Sequence, residues 1–153
     1  MQFVYLTIDH VVEIHGRTLK VSGGGLDGQL NVGQLQSVLE HIQNDDYYPT
    51  IVDKVAHLFF SVIQFHCFRD GNKRLAISLS LQFLLFNGYA FLGDFCLQME
   101  NISYHVASGA VTRDLLRELI AATLDQSLDS NENLKLRLIK AIQGMASDYL
   151  GPT

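Results

Sequence analysis

The apolar positions fall into a series of stripes at helical spacing. Phe3 to Leu6 reads as a short strand or an apolar lead-in, and Thr7 then offers a side-chain oxygen to cap a helix carrying Val11, Val12 and Ile14 and ending near Gly16. Leu35, Val38, Leu39 and Ile42 keep the i, i+3, i+4, i+7 rule of a short amphipathic helix, followed by turn residues from Asn44 to Pro49. The next helix is predicted to start near Thr50. From Ile51 to Phe65 the apolar positions Val52, Val55, Ala56, Phe59, Phe60, Val62 and Ile63 wrap widely round the axis, the mark of a largely buried element. A second apolar segment, Leu75 to Phe86, stops at Asn87-Gly88, the chemistry of a left-handed helix cap. These two segments should form the core hairpin.

Weaker helices are predicted over Phe95 to Ser108, over Thr112 to Leu124 after a Thr cap, and over Glu132 to Tyr149, with Leu134, Leu138, Ile142, Met145 and Tyr149 on one stripe. Ser127 to Asn133 reads as a polar connector. Ser22 to Gly33 holds five glycines, which lift the steric limits on backbone angles and favour a loop or loose hairpin over a helix. The stretch from Ser22 to Leu30 is marked as a candidate flap. The fold expected is therefore mainly α: a single-domain helical bundle over residues 1–153 with room for one small β-hairpin at the flap.

Composition agrees with a compact domain. The chain has 153 residues, near the ~150 of a single domain. With 48% hydrophobic and 18% charged residues it has enough apolar surface to fold, which excludes global disorder. A formal net charge of −5 argues against a generic basic grip on nucleic acid. Cys67 and Cys96 have no second cysteine at zinc or redox spacing, which fits a reducing cytoplasm. The first residues lack the basic lead and apolar run of a secretion signal, and Leu75 to Phe86 is too short to cross a bilayer, so no membrane partner is expected.

One segment carries more chemistry than a helix connection needs. His66-Cys-Phe-Arg-Asp-Gly-Asn-Lys-Arg74 places a titratable base, a carboxylate, a glycine, an amide and two cations between two apolar helices. Gly71 lets backbone N–H groups approach an anion, the following helix aims its positive end there, and Lys73 and Arg74 add full charges, as a phosphate would require. Asp70 next to phosphate calls for a bridging hard cation, so Mg²⁺ is implied. His66, with an ordinary pKa near 6.5, can take a proton from an attacking hydroxyl at neutral pH.

This string resembles the signature of the Fic and death-on-curing (Doc) family: a histidine, a phenylalanine two residues on, an acidic residue, Asn and a basic end. Leu6-Thr7 leading a helix to His15, the glycines Gly23 to Gly25, Tyr48-Pro49, Lys54, Ala56, Phe83-Leu84 and Asn87-Gly88-Tyr89 extend the resemblance to the death-on-curing branch over about residues 5 to 90. It implies His66 as general base, Asp70 as magnesium ligand, Gly71 and Asn72 as an anion cradle, and Lys73 and Arg74 as contacts to nucleotide phosphates. Phe68 would pack inward and fix the loop. The activity implied is transfer from ATP to a protein hydroxyl. The Fic branch mostly transfers AMP, whereas the phosphorylating toxin of the death-on-curing branch moves the γ-phosphate onto a translation elongation factor. Ser22 to Leu30 would be the flap aligning the target chain.

Several positions depart from the family pattern. Cys67 stands where many Fic enzymes have proline. Gly71 resembles the AMP-transferring branch, but Lys73 replaces the glycine, and Ile77 the second arginine, of those enzymes, which favours the death-on-curing reading. Leu30-Asn31 and Gln36 replace an expected Arg-Asp pair and a Glu near the flap. No Ser/Thr-x-x-x-Glu-Gly/Asn inhibitory helix is found in the sequence, so restraint is expected from a separate antitoxin protein.

Isolated residues read more plainly. His41, His57 and His105 have no partner at ligand spacing and are treated as surface or satisfied core histidines. Phe59, Phe60, Phe65, Phe83, Phe86, Tyr89 and Phe91 are assigned to core filling by their helical spacing. Lys135, Arg137 and Lys140 form a solvated basic face on the last helix. The resemblance implies a Mg²⁺-assisted, ATP-dependent transferase that modifies a Ser/Thr hydroxyl of a protein by phosphorylation, acting as the toxin of a toxin–antitoxin system. AMP transfer and a nucleotide- or partner-binding module with little turnover are the alternatives.

Overall fold

The computed structural model describes residues 2–21, 32–64 and 71–150. The segment read as a flap, Ser22 to Leu30, and the motif residues His66 to Asp70 lie outside the described residues. Within them the chain is mainly helical: α1 (Ile8–Val21), α2 (Val32–His41), α3 (Ile51–Gln64), α4 (Gly71–Phe86), α5 (Gly93–Ala107), α6 (Arg113–Leu124) and α7 (Glu132–Leu150). No described helix is long and apolar enough to cross a membrane.

Local chemistry sets the helix ends. Thr7 Oγ1 accepts from the His10 backbone N–H at 3.3 Å while His10 Nδ1 accepts from the Thr7 N–H at 3.0 Å, so the first turn is closed from both sides. Thr50 and Asp53 make the same reciprocal cap at the start of α3, each accepting the other's N–H at 3.1 Å. Thr112 caps α6 by accepting from Leu115 N–H at 3.2 Å. At the end of α4, Gly88 N–H reaches Leu85 O and Tyr89 N–H reaches Leu84 O, with Gly88 at φ +91°, a Schellman closure. Asn87 adds a tie to the lead-in segment: its side chain accepts from Val4 N–H and donates to Val4 O, both at 2.8 Å. Residues 2–7 are therefore the apolar lead-in, held without a strand.

Three expectations need correction. α1 does not end near Gly16 but continues to Val21; a lone helical glycine costs only about 1 kcal/mol, and the Glu13–Arg17 ion pair bridges it at i, i+4. Gly33, assigned to the loop, is the second residue of α2. Phe91, assigned to the core, is 97% exposed with φ +58°, because the chain after the Gly88 closure turns it outward before α5.

α3 and α4 pack as the central antiparallel hairpin, with α1 and α5 against α4, α6 against α3, α2 against α1 and α3, and α7 against α6. Phe59, Leu58, Leu79, Phe83 and Leu84 are fully buried at the centre of one continuous core that also takes in Leu35, Ile42, Phe95, Met99, Ile102 and Leu116. A charged residue lies inside it: Lys54 is fully buried, donating to Ile42 O at 2.6 Å and to the Asp45 carboxylate at 2.7 Å, with its ammonium over the rings of Phe3 and Tyr5. It pins the turn before α3 to the core. α7 docks through buried Leu134 and through Arg137, which donates to both Glu118 oxygens at 2.9 and 2.5 Å. Part of its basic face is thus an interhelical contact rather than purely solvated.

Candidate functional site

The motif occupies the junction of the central hairpin: α3 ends at Gln64 and α4 begins at Gly71. The candidate base His66, the structural Phe68 and the candidate metal ligand Asp70 lie outside the described residues, as do Cys67 and Phe65. The remaining candidates open α4. Gly71 is its first residue, at the positive end of the helix dipole. Asn72 is buried. Lys73 is half-buried, its ammonium 4.6 Å from the centre of the Tyr104 ring on α5. Arg74 is exposed and borders a cavity of about 480 Å³.

That cavity is built on one face of α4. Arg74, Ile77, Ser78, Leu81, Gln82 and Leu85 recur at i+3 and i+4 and form its floor; α1 contributes Ile14 and Arg17, and α5 contributes Cys96 and Glu100. Its size suits a small ligand or a peptide side chain with its flanks. A smaller hollow of about 210 Å³, sharing Ile14, Arg17 and Gln82, continues it past His10 and Phe86. The walls are apolar in the middle with two arginines at the rim, and burial raises the Cys96 thiol above its ordinary pKa, so that sulfur stays protonated at neutral pH. Ile77, which stands in place of the second arginine of AMP-transferring enzymes, lines the cavity. Gln36 lies exposed on α2 and does not line it.

Arg17, Glu100 and Tyr104 were not singled out from sequence. They belong to helices separated along the chain from the motif, and nothing in their local spacing distinguishes them from ordinary surface residues. A second grouping also went unseen. His57 is buried on α3, with Tyr48 stacked on it at 4.5 Å between ring centres, the His41 ring 5.6 Å away and an Arg113 nitrogen 3.3 Å from its Nδ1. Burial first, then the positive charges of Arg113 and His41, push its pKa down to about 4. It is neutral at physiological pH, and its Nε2 has no hydrogen-bond partner among the described residues. No group of three or more His, Cys, Asp or Glu side chains that could hold a metal occurs among the described residues.

A helical hairpin with His66, Phe68 and Asp70 between its two helices in sequence and Gly71, Asn72, Lys73 and Arg74 opening the second places this chain in a defined class. Residues 5–84 match the model of the Fic/DOC family, and the chain belongs to that family. It is 39% identical over 80 residues to the protein named Toxin Doc of Mycolicibacterium smegmatis (strain ATCC 700084 / mc(2)155), an alignment covering 52% of this chain and 58% of that protein. The matched stretch therefore spans little more than half of the relative's length. No solved structure matches the chain.

Proposed function

We propose that this protein is an ATP-dependent transferase that phosphorylates a hydroxyl group on another protein, and that it acts as the toxin of a toxin–antitoxin pair. The observation that carries the reading is the sequence of groups where α3 gives way to α4: His66 and Asp70, then Gly71, Asn72, Lys73 and Arg74 at the opening of α4, all inside the stretch matching the Fic/DOC family. Phosphoryl transfer asks a protein mainly for positioning and charge stabilisation. A helix start with two consecutive cations supplies both.

In this reading His66 takes the proton of the acceptor hydroxyl as its oxygen bonds to the γ-phosphorus; the bond to the β-phosphate oxygen breaks, and ADP leaves. Lys73 and Arg74 hold the phosphate charge, with the backbone N–H groups at Gly71 and Asn72 beside them. Mg²⁺ fits the donor set, because it keeps several waters and needs only one or two carboxylates beside phosphate oxygens, a role open to Asp70. When bound it neutralises charge on the triphosphate. Lys73, in place of the glycine of AMP-transferring enzymes, favours γ- over α-phosphate transfer. The relative's name, Toxin Doc, supports the toxin role and, with it, an antitoxin partner.

Incubation with cell lysate and ATP labelled on either the γ- or the α-phosphate tests the assignment. Label from the γ position is expected on a protein; α-label retained there overturns phosphorylation in favour of AMP transfer. His66→Ala should lower labelling by about 100-fold or more while Mg²⁺-dependent ATP binding persists. Asp70→Ala should instead weaken that binding. Full labelling by His66→Ala would remove the enzymatic assignment and leave a binding module.

A further inference from the structure

The family model matches residues 5–84, and the side chain set against one of its candidate phosphate contacts comes from outside that match. Tyr104 lies on α5, and its ring centre is 4.6 Å from the Lys73 ammonium, inside the ~6 Å reach of a cation–π contact. Cys96 and Glu100 of α5 line the cavity on α4, and Tyr104 follows Glu100 at the same four-residue step, so it continues that face of α5 toward the start of α4. Tyr104 is 58% exposed, whereas its neighbours Ile102, Ser103 and Val106 are buried. Core packing therefore does not account for an aromatic ring there.

We propose that Tyr104 is a positioning residue that holds the Lys73 side chain at the phosphate site, a role that rests on the nucleotide reading above. A lysine ammonium sits on a four-carbon stem with large rotamer freedom. A ring under the charge restricts that freedom and, being uncharged, leaves the ammonium its full positive charge. The ring acts through Lys73 and needs no contact with the nucleotide. Its hydroxyl is not required, so phenylalanine should serve as well as tyrosine, and leucine, with bulk but no π face, should not.

The full chain carrying Tyr104→Phe, Tyr104→Leu, Lys73→Met or Lys73→Met with Tyr104→Leu provides the test, read by calorimetric titration with MgATP and by NMR of the Lys73 methylene protons. Tyr104→Leu should weaken MgATP binding about two- to fivefold, Tyr104→Phe should match the parent, and Tyr104→Leu should have no further effect once Lys73 is Met. The Lys73 methylene signals should be shifted upfield by the ring in the parent and in Tyr104→Phe, and not in Tyr104→Leu. Equal loss from Tyr104→Leu with and without Lys73, or no loss at all, overturns the proposal. If the parent binds no MgATP, the nucleotide reading falls and the positioning role with it; an upfield shift that persists then shows that the contact itself was correctly placed.

Discussion

His57 sits among Tyr48, His41 and Arg113 with a pKa near 4, well below the 6.5 of an exposed histidine. The consequence for stability has a definite sign. As pH falls below 6.5 the unfolded chain binds a proton that the folded chain refuses, so stability present at neutral pH is lost between about 6.5 and 4 and levels off below. The most this single group can remove is on the order of 3 kcal/mol. Urea midpoints measured from pH 7.5 down to 4.5 should fall, and His57→Gln should flatten most of the slope; an unchanged slope would refute the assignment. His15, also pushed down by burial, leaves a smaller residue of the same sign. Burial works against ionisation of Asp53, but hydrogen bonds from Arg117 and Thr50 outweigh it, and a hydrogen bond from Arg137 lowers Glu118. Their contributions are lost only as pH falls below the ordinary values of 3.8 and 4.5. The His57 setting was not legible in the chain, since Arg113 stands 56 positions from His57 and meets it only across the α3–α6 packing.

At the scale of elements the chain was far more readable. The cap of α6 by Thr112, the stripe Leu35, Val38, Leu39 and Ile42, and the stop at Asn87-Gly88 all appear where spacing and turn chemistry place them. Each is settled within a few residues, by hydrogen bonds to the nearest turn or by which side of one helix is apolar. Gly16 and Gly88 make the point testable with opposite signs. A Cβ at either position meets nothing within 4 Å, so the backbone alone decides. Gly88→Ala, at φ +91°, should destabilise by about 1–2 kcal/mol, whereas Gly16→Ala, inside α1, should stabilise by up to about 1 kcal/mol. Thermal or urea unfolding of the two variants checks both. The end of α1 was misjudged because a glycine is only a weak stop when the residues beyond it can still pair with the preceding turn, as Arg17 does with Glu13.

For the whole molecule, the extent of family similarity and the extent of the core differ. The family model matches residues 5–84, but Phe95, Met99 and Ile102 of α5 and Leu116, Leu119 and Ile120 of α6 are buried in the same core as the motif-bearing hairpin. A fragment ending at Leu92 would leave the facing surfaces of α3 and α4 exposed to water. It should show no cooperative thermal transition and poor NMR dispersion, while the full chain shows both; a folded fragment would mean that α1 to α4 hold together without the last helices.

The order of amino acids alone settled the helical class, most helix boundaries and the His66 to Arg74 motif, because periodicity, caps and a contiguous motif depend on neighbours a turn or two away. Packing decided the rest: that Tyr104 lies beneath Lys73, that Arg17 and Arg74 line one cavity, that His57 meets Arg113 and that Phe91 faces water. Those proximities follow from how helices cross, which burial of the entire core dictates and no local stretch encodes.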